Sequence, residues 1–504
     1  MPTNMLFDRL MSAATPAATA IESDGRRYTY ADLSSETARL ANALTALGVG
    51  PGDRVAVQVE KSTTNVFLYL ACVRAGAVYL PLNTAYTVAE LSYFLGDAEP
   101  ALVVCDPAAR NAVDAVAGRA RVETLNAAGV GSIADLAAGQ SDQFLTVSRA
   151  PGDLAAICYT SGTTGRSKGA MLTHLALTSN AETLVDLWRF TARDVLIHAL
   201  PIYHVHGLFV AINVTMMAGG SMILLPKFDP AAVLSAMPRA TALMGIPTFY
   251  TRLLADPTLT RDAVAHMRLF VSGSAPLLAQ VHEDWTSRTG KPILERYGMT
   301  ETGMNTSNPY DGERVAGTVG FPLPDVALRI VDEASAAPVA DGEIGVIEVK
   351  GPNVCAGYWR NPEKTAESFR SDGFFITGDL GVRDARGYVS IVGRGKDLII
   401  TGGLNVYPKE VETEIDAIPG VVESAVVGLP HADFGEAVTA VVAVERAGNL
   451  TETAVLDALA PRLARFKQPK RVIFVADLPR NAMAKVQKAQ LRETYKDLYG
   501  STDH

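Results

Sequence analysis

The strongest constraint on how this chain folds is an alternation in its amino-terminal half. Short, largely apolar runs are separated by segments with helical periodicity. The runs are Val55–Val57, Val78–Leu82, Leu102–Cys105, Ala155–Tyr159, Val195–Leu200, Met222–Leu225, Leu243–Ile246 and Leu269–Val271. A short apolar run between turn signals reads as a strand buried on both faces, and such strands belong to mainly parallel sheets covered by helices. The intervening segments fit that reading. Residues 31–47 carry Leu33, Ala38, Leu40, Ala41, Leu44 and Leu47 at helical spacing and stop at Gly48. Pro51-Gly52-Asp53 turns the chain into the next run, Ser62 caps a helix through Val73, and Gly76 leads out of it.

The pattern changes after about residue 315. VALRIVD, a turn at 332–342 and GEIGVIEVKG read as antiparallel strands of a small β-rich subdomain spanning about 315–394. A hairpin-like stretch follows at 387–403. The chain then alternates again: helix near 408–416, strands near 423–428 and 438–444, helix near 451–465, strand at 471–475. The sequence therefore predicts an α/β protein with a large domain over 1–394, made of layered α/β sheets plus the β-rich subdomain. A small, mobile α+β domain over 395–504 follows, with the boundary near Arg394-Gly395-Lys396.

Composition excludes several functions. The 504 residues are 48% hydrophobic and 20% charged, enough for a large core. A formal net charge of −9 argues against nucleic acid or an anionic membrane as partner. No apolar run reaches the roughly 18 residues of a membrane span. The amino terminus, interrupted by Asp8 and Arg9, is not a convincing signal peptide. Cys72, Cys105, Cys158 and Cys355 sit in apolar runs without metal-ligand spacing, so they read as buried free thiols of a cytoplasmic protein.

The stretch TSGTTGRSKG, Thr160 to Gly169, is rich in glycine, hydroxyls and positive charge. It fails the Walker A spacing, because Ser167 stands five residues after Gly162 and Ala170 five after Gly165. Following a buried strand, it suits either a backbone grip on phosphate or a mobile surface loop. Further stretches follow in order: GSAP at 273–276, ERYGMTE at 295–301, FFITGD at 374–379, GRGKDLIITGGLNVYP at 393–408 and PRNAMAKVQK at 479–488. Together with TSGTTGRSKG they closely resemble the signatures of the adenylate-forming superfamily, which includes acyl-CoA synthetases, peptide-synthetase adenylation domains and firefly luciferase.

That resemblance implies roles for residues of this chain. Thr160, Ser161, Gly162, Thr163, Thr164, Gly165 and Lys168 would hold the β- and γ-phosphates of ATP. Gly273, Ser274 and Ala275 on one side, with Glu295, Tyr297 and Gly298 on the other, would hold the adenine. Thr300 would lie near the α-phosphate, Glu301 would hold Mg²⁺, and Asp379 with Arg394 would bind the ribose. Lys485 would neutralise charge where a carboxylate attacks the α-phosphorus. Lys396 would be the hinge of a rotating carboxyl-terminal domain, and Gly402, Gly403 and Leu404 would wall a tunnel for the pantetheine of CoA. The chain departs from the family at Ala484, where a glycine normally precedes the lysine.

The acid is suggested by two stretches. HALPIYHVHGLF brings His204 and His206, which in an extended segment would share one side. ERYGMTETGMNTSNPYDG brings Arg296, a cation that a dicarboxylic acid would need for its distal carboxylate. An Arg296–Glu pair with no substrate role is the alternative. Both stretches look very similar to bacterial malonyl-CoA synthetases, which implies malonate, with methylmalonate also possible and Ser274 as a second contact. The expected partners are small molecules: malonate, ATP and CoA. Two alternatives stay open: a ligase of short monocarboxylic acids, and an adenylate-binding protein impaired in catalysis through Ala484. No appended carrier domain is visible after Lys488.

Overall fold

The computed structural model describes residues 4–160, 167–402, 404–431, 433–444, 450–481 and 485–499. They fall into two compact units, Met1–Leu328 with Val349–Phe375, and Arg329–Glu348 with Ile376–His504.

The first unit is built on two sheets. In the six-stranded sheet the order is Arg121–Thr124, Leu102–Cys105, Arg54–Gln58, Val78–Pro81, Leu154–Thr160 and Lys168–Thr173. All pairings are parallel except the last, where Thr160 stands opposite Lys168 in an antiparallel hairpin. In the nine-stranded sheet the parallel core runs Thr19–Ser23, Ser221–Leu224, Val195–His198, Ala242–Gly245, Leu269–Ser272 and Leu294–Met299. Gly303–Ser307 then returns antiparallel to Leu294–Met299. The apolar runs are these strands, and they are buried because helices cover both faces.

The helices start where the sequence has caps. Thr29 and Asp32 form a reciprocal capping box at the helix Tyr30–Ala46, and Ser62 accepts from the Asn65 N–H at Thr63–Arg74. Trp285, on the helix Ala279–Thr289, is fully buried and meets Tyr250 and Phe270 edge-on at 5.0 and 4.9 Å. That trio presses the helix onto the strands that carry the site.

The second unit holds a four-stranded sheet in the order Ala327–Val331, Gly345–Lys350, Phe375–Arg383, Val389–Arg394. Its other sheet has Gly435–Val444 between Ile399–Thr401 and Val421–His431, with Arg471–Val475 parallel to it. The stretch 387–403 is not one hairpin. Val389–Arg394 pairs back to Phe375–Arg383, a turn at Gly395–Asp397 intervenes, and Ile399–Thr401 pairs with Leu404–Val406. Alternation alone cannot tell which neighbour a strand chooses.

All four cysteines are free and buried. Burial raises each thiol pKa, to about 11 for Cys105 and about 12 for Cys158 and Cys355, and for Cys72 further still. Among the described residues, no helix is long and apolar enough to cross a membrane.

Replacing Trp285 by Ala should lower stability by about 3–5 kcal/mol, the usual cost of emptying a large aromatic site. Calorimetry of the first unfolding transition measures it.

Candidate active site

The carboxyl ends of parallel strands are where open α/β sheets bind ligands. Four adjacent strands end together here, at His198, Gly245 and Ser272 and along Leu294–Met299. Within Leu294–Met299 alternate side chains point to opposite faces, so Arg296 is buried while Tyr297 is half-buried on the other side. Arg296 packs across Gly273 so closely that a Cβ there would lie 2.4 Å from its guanidinium carbon. A side chain at 273 would push the guanidinium aside.

Among the described residues, no partner meets Arg296 Nε or Nη2, both of which are buried. Burial lowers the Arg296 pKa to about 9, so it stays protonated at neutral pH. Among the described residues, Arg296 forms no ion pair with a glutamate. His206 is buried beside Arg296, with Nδ1 3.2 Å from Ser274 Oγ and, among the described residues, no partner for Nε2. Burial first, and then Arg296, hold the His206 pKa well below its ordinary value, so the ring is neutral. Ser274 adopts φ = 72°, a left-handed conformation unusual for serine, which turns its hydroxyl to His206. Ser272 Oγ, just before Gly273, is a further buried polar atom with no partner among the described residues.

His204 and His206 do not share one side of an extended segment. His206 opens a π-helical stretch, His206–Ile212, and its N–H donates to His204 Nδ1 at 3.3 Å. The sequence suggests extension because His-x-His repeats every second residue, but the apolar residues that follow coil into the core.

At the hairpin, Thr160 Oγ1 donates to Glu301 Oε1 at 3.0 Å and the Tyr358 hydroxyl donates to the same oxygen at 3.1 Å. Glu301 is buried, and its carbonyl accepts the Cys355 N–H at 2.7 Å. Lys168 lies at the other foot of the hairpin, with its ammonium 6.0 Å from the Tyr358 ring centre. Burial and the nearby Lys364 lower its pKa. Ser161, Gly162, Thr163, Thr164 and Gly165 lie outside the described residues, as do Gly403 and Ala484. Thr300 is half-buried on the turn after Leu294–Met299, and Glu295 accepts the Gly317 N–H at 3.4 Å. Gly298 faces its hairpin partner at a distance no side chain tolerates: a Cβ would lie 2.1 Å from the Gly303 carbonyl oxygen.

In the second unit, Arg394 Nε pairs with Asp379 Oδ1 at 2.7 Å across adjacent strands. Lys485 keeps an exposed surface, yet burial of its ammonium and the nearby Arg394 lower its pKa to about 8, against the opposing pull of Asp379. Asn481 braces it: the Lys485 N–H donates to Asn481 Oδ1 at 3.0 Å, and the Asn481 N–H donates to the Lys485 carbonyl at 3.0 Å. Lys396 is exposed, and its neighbour Asp397 pairs with Arg492. Gly402 has φ = 56° and donates its N–H to the Phe434 carbonyl at 2.8 Å, while Leu404 is exposed.

A family model described as AMP-binding enzyme matches residues 9–359, and one described as AMP-binding enzyme C-terminal domain matches 410–485. The chain belongs to the AMP-binding enzyme family. Feruloyl-CoA synthase of an Amycolatopsis species is 36% identical to it over 490 residues, covering 95% of this chain and 96% of that one. Malonate–CoA ligase of Arabidopsis thaliana is 34% identical over 529 residues, covering 95% and 86%. The crystal structure of ATP-bound MatB from Rhodopseudomonas palustris is similar with a TM-score of 0.97 at 62% identity, covering 99% of this chain and 100% of that one.

Against this AMP-binding fold, two residues near the site escape a sequence reading. Tyr358 holds Glu301, but Gly-Tyr-Trp at 357–359 gives no spacing signal. Tyr250, buried near Arg296, reads as an ordinary core aromatic. Gly298→Ala should destabilise by about 1–3 kcal/mol, because the added methyl overpacks the hairpin. Thermal unfolding with and without ATP measures the loss.

Proposed function

We propose that this AMP-binding enzyme is an ATP-dependent acid–thiol ligase that converts malonate and CoA to malonyl-CoA, with AMP and pyrophosphate as the other products. The observation that carries the malonate reading is Arg296: a buried, protonated guanidinium with two open nitrogens and no acidic partner among the described residues. An unpaired buried cation is costly and is matched best by an anion from the ligand. A carboxylate accepts from such a fork in bidentate fashion. If Ser274 donates to His206 Nδ1, Nε2–H of His206 becomes a further donor to the same anion. His204 would line the same acyl pocket. A monocarboxylic acid would leave Arg296 unmatched, so malonate is favoured. Methylmalonate differs by one methyl group, and the same donors would serve it. Malonate–CoA ligase in Arabidopsis thaliana and MatB at 62% identity support this choice.

The chemistry would follow in two steps. A carboxylate oxygen of malonate attacks the α-phosphorus of ATP, and pyrophosphate leaves. The CoA sulfur, having lost its proton, then attacks the acyl carbonyl and AMP leaves with the electron pair of the acyl–oxygen bond. In the first step Thr160, Lys168 and the residues between them would hold the outgoing phosphates, and Lys485 would offset charge at the α-phosphorus. Gly273, Ser274 and Ala275 with Glu295, Tyr297 and Gly298 would hold adenine, Asp379 and Arg394 the ribose, and Thr300 the α-phosphate. Glu301 fits a hard dication, since its buried carboxylate lies beside the Thr160 hydroxyl. Mg²⁺ held there would supply charge neutralisation at the phosphates. In the second step Gly402, Gly403 and Leu404 would line the path of the thiol, with Lys396 as the hinge and residues 395–504 as the moving part. The same reading has the enzyme working in the cytoplasm, without nucleic acid or membrane.

Pyrophosphate release tested across malonate, methylmalonate, succinate, acetate and octanoate, with and without CoA, should be strongest with malonate. Absence of malonate-dependent release sinks the reading. Arg296→Ala should lower kcat/KM for malonate roughly a hundredfold, the loss of charge-assisted hydrogen bonds, and acetate activity far less. Equal losses would defeat the carboxylate clamp.

Lys485 gives a pH test. Its ammonium has a lowered pKa of about 8, so the charge is present below that pH and lost as pH rises through it. Adenylate formation should decline with an inflection near that value, and Lys485→Arg should abolish the inflection.

A further inference from the structure

Lys61 is a buried lysine outside every motif named above. It directly precedes Ser62, the cap of the helix Thr63–Arg74, at the positive end of a helix dipole, where a cation gains nothing. Its Nζ lies 2.8 Å from His198 Nδ1, 2.7 Å from the His198 carbonyl oxygen and 2.9 Å from the Leu200 carbonyl oxygen. An ammonium has three N–H donors, and these acceptors use all three. None of them is a carboxylate. Burying an ammonium on neutral acceptors is costly, and stability alone would favour an apolar residue of similar length.

The second nitrogen of the His198 ring, Nε2, lies 2.8 Å from the Gly207 carbonyl oxygen. A carbonyl oxygen only accepts, so Nε2 of the neutral His198 ring carries the proton that it donates to Gly207, and Nδ1 accepts from Lys61. The bonds therefore run from Lys61 to the strand end at 198–200, and through the His198 ring to the residue next to His206. Gly207 is tightly seated, since a Cβ there would lie 2.0 Å from the Pro201 carbonyl oxygen. The bend from His198 to Gly207 is thus tied at both ends, with His204 and His206 between.

We propose that Lys61 is a positioning residue for the acid: through His198 it fixes His206, and so sets the affinity for the distal carboxylate. This rests on the reading of Arg296 and His206 as the carboxylate grip. The lysine touches no reacting atom in this scheme.

Steady-state kinetics of Lys61→Met, which keeps length and loses the donors, tests it alongside thermal unfolding. KM for malonate should rise roughly tenfold, the loss of a charge-assisted tie, while KM for ATP and kcat stay within about twofold. A folded variant with unchanged KM for malonate, or with both KM values raised alike, overturns the proposal. Should Lys61→Met fail to fold, the pair His198→Leu and His198→Gln decides. Glutamine restores a donor for the Gly207 carbonyl, so it should recover most of the malonate KM that leucine loses, and equal behaviour overturns the proposal. Failure of the malonate reading is distinguishable, because wild-type enzyme then releases no pyrophosphate with malonate. Positioning is then read from the His206 ring resonances of the full chain. They should move in the folded variants (Lys61→Met, His198→Leu), and unmoved resonances overturn the proposal.

Discussion

A buried guanidinium with no counter-ion among the described residues organises the place where Arg296, His206 and Ser274 meet. Arg296 stands on a strand paired in parallel on one side and antiparallel on the other, and its bulk presses on what surrounds it. The guanidinium occupies the space that a Cβ at residue 273 would take, so a larger residue there would displace it. Ser274 takes a left-handed backbone so that its hydroxyl reaches His206. His206 in turn is kept neutral by burial and by the same cation. Each choice makes sense once the positive charge is fixed, and each would be gratuitous without it.

The residues proposed to handle the nucleotide obey a different logic. They rely on backbone pairing more than on buried charge. Thr160 and Lys168 are opposite rungs at the mouth of one hairpin, so whatever joins them starts from a rigid base. Glu301 is tied to that base by Thr160 and Tyr358, which links the hairpin of one sheet to the strand end of the other. In the second unit Asp379 and Arg394 are likewise rungs of one ladder, and Asn481 brackets the backbone of Lys485. Pairing of this kind fixes direction without demanding particular neighbours in the core.

The layered architecture was legible because fully buried strands leave uninterrupted apolar runs, as at Leu102–Cys105 and Leu269–Val271. Arg296 was read instead from the resemblance, as a cation beside Tyr297 that a dicarboxylic acid would need. What escaped depends on distant contacts. His198 and Lys61 are 137 positions apart, and nothing in either segment announces the other. The bend after Val195–His198 was misread as extended because alternating histidines mimic a strand, while coiling there is decided by tertiary packing. The stretch 387–403 failed for a related reason: strand propensity is local, whereas the choice of pairing partner is not.

The four buried cysteines bear on chemical selectivity. An acyl-adenylate is an aggressive electrophile, and thiolates are the nucleophiles that capture it most readily. Each sulfur of this chain is enclosed, with its thiol pKa raised to about 11 or beyond. At neutral pH the protein therefore presents almost no thiolate of its own. An activated acyl group formed on it would meet sulfur only when a thiol is brought in from solution, so self-acylation is suppressed by the way the core is packed.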